Sequence, residues 1–252
     1  MPAYALRLEY DGTGFVGWQR QNNGTSIQQI LENAAAQLTG TQVESIAAGR
    51  TDAGVHAIAQ VVKINLPRDM PPRTLREALN FHMKPHRVVV LDAAIVDPKW
   101  SPRFDAIHRA YRYQILNRRA RPALAASQVW HVQRELDIDA MQQAANHLLG
   151  RHDFTSFRAA ACQARSPIRQ LDRLNITRNG ENIVLTVEAR SFLHHQVRNF
   201  AGTLKMVGDG QWPPARIPEI LAARDRSLAG PTAPAAGLCL TSVVYPVDPF
   251  AP

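Results

Sequence analysis

The 252-residue chain has little cysteine, few lysines and no long apolar run, and each scarcity removes a class of function. Cys162 and Cys239 form no CxxC pair and no disulfide framework, which fits reduced thiols. No stretch reaches the roughly 18 apolar residues of a membrane span. Met1 to Tyr10 lacks the charged-then-apolar layout of a signal. A soluble, cytoplasmic protein is expected. No GxxxxGK(S/T) motif occurs and no GxGxxG follows a strand pattern, so no nucleotide cofactor is expected. His194-His195 are adjacent, cannot share a helix face and have no second cluster at ligand spacing, so no metal is expected. A metal-dependent hydrolase built on His56, His194 and His195 is the alternative, and it predicts loss of activity with chelator.

What the chain does have is arginine. Twenty-nine basic side chains face 21 acidic ones, a formal charge of +8 and a pI near 10.1, which favours a polyanionic partner. Only Lys63, Lys84, Lys99 and Lys205 are lysines. Arginine offers a planar fork that suits phosphate and stacks on bases, although a GC-rich genome produces the same bias. The distribution says more than the total. Arg103, Arg109, Arg112, Arg118, Arg119 and Arg121 crowd one stretch, with only Asp105 opposing and Phe104, Tyr111 and Tyr113 interleaved. Charge beside aromatic faces is what a nucleic-acid groove requires.

Apolar periodicity predicts alternating α and β elements. Tyr4 to Tyr10 reads as a strand, and Ser26 as the N-cap of a helix ended by Gly40. Strands are predicted over Val43–Ala48 and Gln60–Leu66, a helix near Arg73–Phe81 and a strand over Arg87–Val96. The second half repeats the theme. A strand is predicted over Ala110–Leu116 and a helix over Asp137–Leu149, then a hairpin across Asn179-Gly180 that joins Ile168–Thr177 to Ile183–Ala189. Helices over His194–Val207 and Ile217–Ala223 and a strand over Leu238–Tyr245 complete it. The expected class is α+β, two α/β units divided into residues 1–104 and 105–252, with the arginine-rich stretch at their junction.

The octet Gly49-Arg50-Thr51-Asp52-Ala53-Gly54-Val55-His56 sets one carboxylate between two glycines, on a connection between strands. Glycine permits angles or close approaches that a Cβ forbids, so Asp52 can be presented at a tight turn. An Asx-turn or helix cap is the ordinary role of such a residue.

The flanking sequence supplies more than a turn. Tyr10-Asp11-Gly12-Thr13-Gly14-Phe15-Val16-Gly17-Trp18-Gln19-Arg20-Gln21 precedes the octet. Arg103-Phe104, Ala110-Tyr111-Arg112-Tyr113, Asp153-Phe154-Thr155-Ser156-Phe157, His194-His195-Gln196-Val197-Arg198-Asn199 and Gly237-Leu238 follow it. In this order and spacing the blocks resemble those of the TruA family of tRNA pseudouridine synthases.

That resemblance implies a pseudouridine synthase fold, two units with mainly antiparallel sheets flanked by helices and a basic cleft between them. It implies isomerisation of uridine to pseudouridine at positions 38, 39 and 40 of the tRNA anticodon stem and loop, with no cofactor, by a homodimer. Asp52 would be the nucleophile, attacking either C1′ of the ribose or C6 of the base. Arg198 would pair with it, and Arg50 matches another active-site position. Tyr111 would stack on the target base and Leu238 would line the pocket. Arg20 is expected near phosphate, and Arg109 and Arg112 are expected to contact substrate. Phe154, Phe157 and Tyr113 suit packing better than RNA contact. Phe81-His82-Met83-Lys84 departs from an Asn-rich turn usual in the family, which bears on that loop and not on the chemistry. A non-catalytic RNA-binding or chaperone protein is the alternative, and it predicts that Asp52→Asn leaves function intact.

Overall fold

On β1 (Ala3–Tyr10) one face is buried throughout, by Tyr4, Leu6, Leu8 and Tyr10, while the other runs from buried Ala3 and Ala5 to half-buried Arg7 and exposed Glu9. The coordinates are a computed structural model that describes residues 1–251. Helix α1 (Ile27–Thr39) has both ends fixed locally. Ser26 Oγ accepts the Gln29 amide at 3.2 Å, and Gly40, at φ 74°, closes the C-terminus in the left-handed region. Next come β2 (Ser45–Ala47), β3 (His56–Asn65), α2 (Pro72–His82) and β4 (Val88–Val96). The second half holds β5 (His108–Asn117), β6 (Trp130–Val132), α3 (Ile138–Asn146), β7 (Gly150–Asp153), β8 (Ile168–Asn179), β9 (Asn182–Ala189), α4 (Gln196–Gly208) and α5 (Arg216–Ala223). The final strand is β10 (Leu238–Val244).

The chain divides into two compact units, one from Met1–Arg109 with the segment from Cys239 onward, the other Ala110–Leu238. This differs from a division at residue 104. The last strand returns to the first unit, a long-range pairing that no local composition shift announces. Tyr245 shows why it returns. Its ring packs with Ala48, Val61 and Ala106, and its hydroxyl donates to Pro102 O at 2.9 Å.

In the first unit the strand order is β4-β1-β3-β10, with β2 also paired to β3. Every pairing is antiparallel except β10 with β3, where Cys239 faces His56 and Leu240 faces Ala57. Strand β3 begins four residues earlier than its sequence suggests, because Ala57 and Ala59 carry little strand preference of their own and are recruited by neighbours. In the second unit the order is β5-β9-β8-β7, with β6 parallel to β5. The expected hairpin is present. Asn179 faces Asn182 across Gly180-Glu181, and Gly180 has φ 57°. Strands β6 and β7 were not anticipated, being short and, in β7, wholly polar or glycine. Helix α3 stops at Asn146, three residues short of expectation, and β2 is half the expected length. Among the described residues no helix is long and apolar enough to cross a membrane.

Candidate active site

Asp52 lies on the loop between β2 and β3, and the loop's backbone is gripped at almost every residue. Ala48 N donates to Val61 O at 2.8 Å, prolonging the β2–β3 ladder by one step. Ala48 O accepts Arg109 Nη2 at 2.8 Å, and Gly49 O accepts Gln60 Nε2 at 2.8 Å. Thr51 O accepts the Trp18 amide at 3.0 Å, and Thr51 Oγ1 lies 2.8 Å from the Tyr10 hydroxyl. Asp52 O accepts Val55 N at 3.1 Å, closing a turn in which Gly54 has φ 76°. Asp52 is half-buried and Arg50 is exposed.

The opening signature packs directly against this loop. A Cβ on Gly17, whose φ is 102°, would stand 2.7 Å from Thr51 O and 3.0 Å from Ala53 N, and a Cβ on Gly12 would overlap the Val55 carbonyl. Both glycines are therefore fixed by contact with the loop. Gly49 is different: a Cβ there would meet only Arg109 Nε at 3.8 Å, an ordinary contact, so the octet needs Gly54 for its backbone and not Gly49.

Below the loop, His56 Nδ1 accepts the Gly12 amide at 3.0 Å and lies 3.2 Å from Asp11 Oδ1. Burial alone would raise the Asp11 carboxyl. The Thr13 hydrogen bonds, with His56 and Arg87 nearby, outweigh burial and hold it below the usual carboxylate range.

In the second unit the matching sequence block lies at the start of α4. His195, at φ 63°, turns the chain into the helix, and its ring lies 4.0 Å, centroid to centroid, from that of His194. The helix thus begins at Gln196, two residues later than expected. Gln196 Oε1 accepts the Leu193 amide at 2.8 Å. Arg198 is tied twice to one residue. Its Nε donates to Ala233 O at 2.8 Å, and its own carbonyl accepts Ala233 N at 3.1 Å. Asn199 is fully buried and joins two sequence blocks. It donates to Phe157 O at 2.8 Å and accepts from Thr232 Oγ1 at 2.7 Å and Arg226 Nη2 at 3.0 Å. Phe154, Phe157 and Phe200 pack with centroids 5.1 to 6.2 Å apart, so both phenylalanines of the Asp153–Phe157 block are core.

Tyr111 is buried on β5 and meets Phe192 edge to face at 5.2 Å. Tyr113 is fully buried, and its hydroxyl donates to Pro234 O at 2.8 Å. Burial raises that hydroxyl well above its usual range, with the Arg198 charge opposing. Gly237 lies flat on the same ring, where a Cβ would stand 2.8 Å from Cζ. Leu238 is buried.

The arginines separate into distinct environments. Arg109, expected at the substrate, is buried, and its Nη2 bridges Ala48 O and Arg103 O, each at 2.8 Å, which suits a brace for the Asp52 loop. Arg112 is exposed on β5, and the two-residue period puts it on the face opposite Tyr111 and Tyr113. Arg20 is half-exposed and paired with Glu32 at 3.1 Å. Arg103 lies over the exposed Phe104 ring, Arg118 pairs with Glu181, and Arg119 and Arg121 are exposed. Tyr10, Thr51, Gln60 and Asn199 were missed as supports. The first three carry only the signal of polar groups beside the octet or on a strand.

Comparison with known proteins decides the family. The tRNA pseudouridine synthase family model matches residues 8–105 and 144–246. A protein of Acidiphilium cryptum (strain JF-5) called tRNA pseudouridine synthase A is 64% identical over 252 residues, 99% of each chain. One of the same name from Gluconobacter oxydans (strain 621H) is 62% identical, covering 98% of this chain and 91% of its own. A third, from Paramagnetospirillum magneticum (strain ATCC 700264 / AMB-1), is 56% identical over 97% of this chain and 96% of its own.

The chain belongs to the tRNA pseudouridine synthase family.

The family match includes the Asp52 loop, the start of α4 and Leu238, and leaves Arg109, Tyr111 and Arg112 between its two segments. The full-length relatives span those residues as well.

Proposed function

We propose that this protein isomerises uridine to pseudouridine in tRNA, at positions 38, 39 and 40 of the anticodon stem and loop. The C1′–N1 bond of the target nucleotide breaks, a C1′–C5 bond forms, the C5 hydrogen leaves as a proton and N1 gains one. No atom or electron is gained overall, so the chemistry asks for a nucleophile and proton transfer and for no redox partner.

Asp52 is the nucleophile, attacking either C1′ or C6. Arg198 is its ion-pair partner, Arg50 acts on the substrate beside it, Tyr111 stacks on the target base and Leu238 lines the pocket. Stacking on an aromatic face is worth about 1–3 kcal/mol per base. Arg109 supports the loop rather than the RNA, and Arg20 and Arg112 contact the tRNA backbone.

The observation that carries this reading is the single carboxylate on a loop held through its backbone, inside a match to the family on both sides. A nucleophile requires that combination, since reactive geometry is lost when the group wanders. The test is tritium release from [5-³H]uridine-labelled tRNA, wild type beside Asp52→Asn. Release by the wild type alone is expected. Bound tRNA with no release from either protein would make this an RNA-binding protein.

We further propose, on the family resemblance, that two copies share one tRNA. Light scattering should return twice the 28.0 kDa chain mass, and a monomer at working concentration would contradict it.

A further inference from the structure

Gln60 is fully buried on β3, and an amide in that position costs free energy unless its hydrogens are used. Both are. Nε2 donates to Gly49 O at 2.8 Å and to the Tyr10 hydroxyl oxygen at 3.4 Å, while Oε1 accepts Val61 N at 3.2 Å. Because Nε2 can only donate, the Tyr10 oxygen accepts there, and the phenolic hydrogen goes to its other partner, Thr51 Oγ1, at 2.8 Å. The contacts thus form a chain of fixed direction from Gln60 through Tyr10 to Thr51. Its two ends, Gly49 O and Thr51 Oγ1, flank Arg50 and lead into Asp52.

At these residues the loop has left the β2–β3 ladder, so strand pairing does not set its position; side chains from β1 and β3 do, together with the Trp18 amide on Thr51 O. Tyr10 stands beyond the register shift that separates Leu8 from Tyr10 on β1, which moves its partner on β3 from Ile58 to Ala57. Burial pushes the Tyr10 hydroxyl up to about 12, with the hydrogen-bond contacts to Thr51 and Gln60 opposing, so it remains a donor throughout the neutral range.

We propose that Gln60, Tyr10 and Thr51 are positioning residues for catalysis, a directional hydrogen-bond relay that fixes the Gly49–Asp52 backbone and thereby aims the Asp52 carboxylate. The proposal rests on the reading of Asp52 as the nucleophile. It assigns these side chains no contact with RNA, so their loss acts on turnover and not on binding.

The test is single-turnover kinetics, tRNA affinity and melting temperature for Tyr10→Phe, Thr51→Val, the pair of substitutions together, Thr51→Ser, and Asp52→Asn as reference. Tyr10→Phe deletes one oxygen and keeps the packing. Turnover should fall between about tenfold and a hundredfold in Tyr10→Phe and in Thr51→Val, with KM and tRNA affinity unchanged. The pair should be no worse than the worse single substitution, because both cut the same chain, and Thr51→Ser should recover most of the turnover. Wild-type turnover in both single variants while Asp52→Asn is inactive would overturn the relay alone. Additive losses, or losses that merely follow the melting temperature, would do the same by reducing it to ordinary packing. Turnover by Asp52→Asn would instead remove the nucleophile reading and the relay with it.

Discussion

The Asp52 loop and the start of α4 are immobilised in opposite ways. The loop is held from outside through the carbonyls of Ala48, Gly49 and Thr51, and from within by the turn that Asp52 O closes with Val55 N, while the Asp52 side chain takes no part in those backbone bonds. Arg198 is held by its own guanidinium and its own carbonyl, both on Ala233, one residue before the buried Asn199 that ties three segments together. A group that must travel along a reaction coordinate is better fixed by its backbone; a group that supplies charge can be fixed by its head. The consequence is a different coupling of function to stability. Disturbing the α4 supports should remove both together, and disturbing the loop supports should remove activity first.

Asn199→Leu is the largest test of that contrast. It removes the buried partner of Phe157 O and one of the partners of the half-buried Arg226 guanidinium and Thr232 hydroxyl, for a cost of about 3 kcal/mol. Chemical denaturation should show the full loss, and activity should fall in step with the folded fraction. Activity that survived such destabilisation at low temperature would show that the α4 supports are structural only.

Gly17→Ala probes the other side. It forces a side chain into the left-handed region and against Thr51 O, a strain of roughly 1–3 kcal/mol. Gly14→Ala is its control, because φ there is 82° yet nothing lies within 4 Å of the added carbon. The melting temperature should fall in both, and further in Gly17→Ala, which adds the clash with Thr51 O to the backbone strain. Turnover should fall only in Gly17→Ala, and equal turnover in the two would mean that the opening segment does not position the loop.

This contact also marks where the sequence stops being readable. Helix α1 was legible to the residue because Ser26 and Gly40 carry their signals locally, and the Asn179-Gly180 hairpin for the same reason. The return of β10 to the first unit was not, since a pairing of Cys239 with His56 leaves no trace in either segment alone. The ordered blocks pointed to Asp52, Arg198 and Tyr111 but could not say that Gly12 and Gly17 are floor to the Asp52 loop, or that Asn199 clasps Phe157. Arg109 is a related case. In sequence it is one cation in a basic run, and only its two carbonyl partners reveal a brace.

A smaller effect separates the His56 side of the loop from the rest. The Asp11 carboxyl is held below its usual range, so its ionised form favours the folded state. That contribution is complete above the unfolded carboxylate value, about 3.9, and is lost as pH falls through the lower folded value. The stability gap between wild type and Asp11→Asn should be constant above about pH 5 and close progressively below about pH 4. A gap that stayed constant down to the acid limit would mean that the charge of Asp11 contributes nothing and only its hydrogen bonds to Thr13 matter.

Arg20→Ala should change stability least, and for that reason it separates a scaffold cation from an RNA contact. Glu32 keeps its other donors when Arg20 is removed. Ser45 N and Oγ stand at 3.0 and 2.9 Å from Oε1, and Gln28 Nε2 at 2.9 Å, so Oε1 stays satisfied and only the bond to Oε2 is lost. A half-exposed pair of this kind is worth about 0–1 kcal/mol, and the melting temperature should hardly move. If Arg20 contacts phosphate, tRNA affinity should nevertheless weaken, and the slope of its logarithm against that of salt concentration should drop by about one. An unchanged slope would confine Arg20 to its pair with Glu32 of α1, and the opening segment would then serve the reaction only by supporting Asp52.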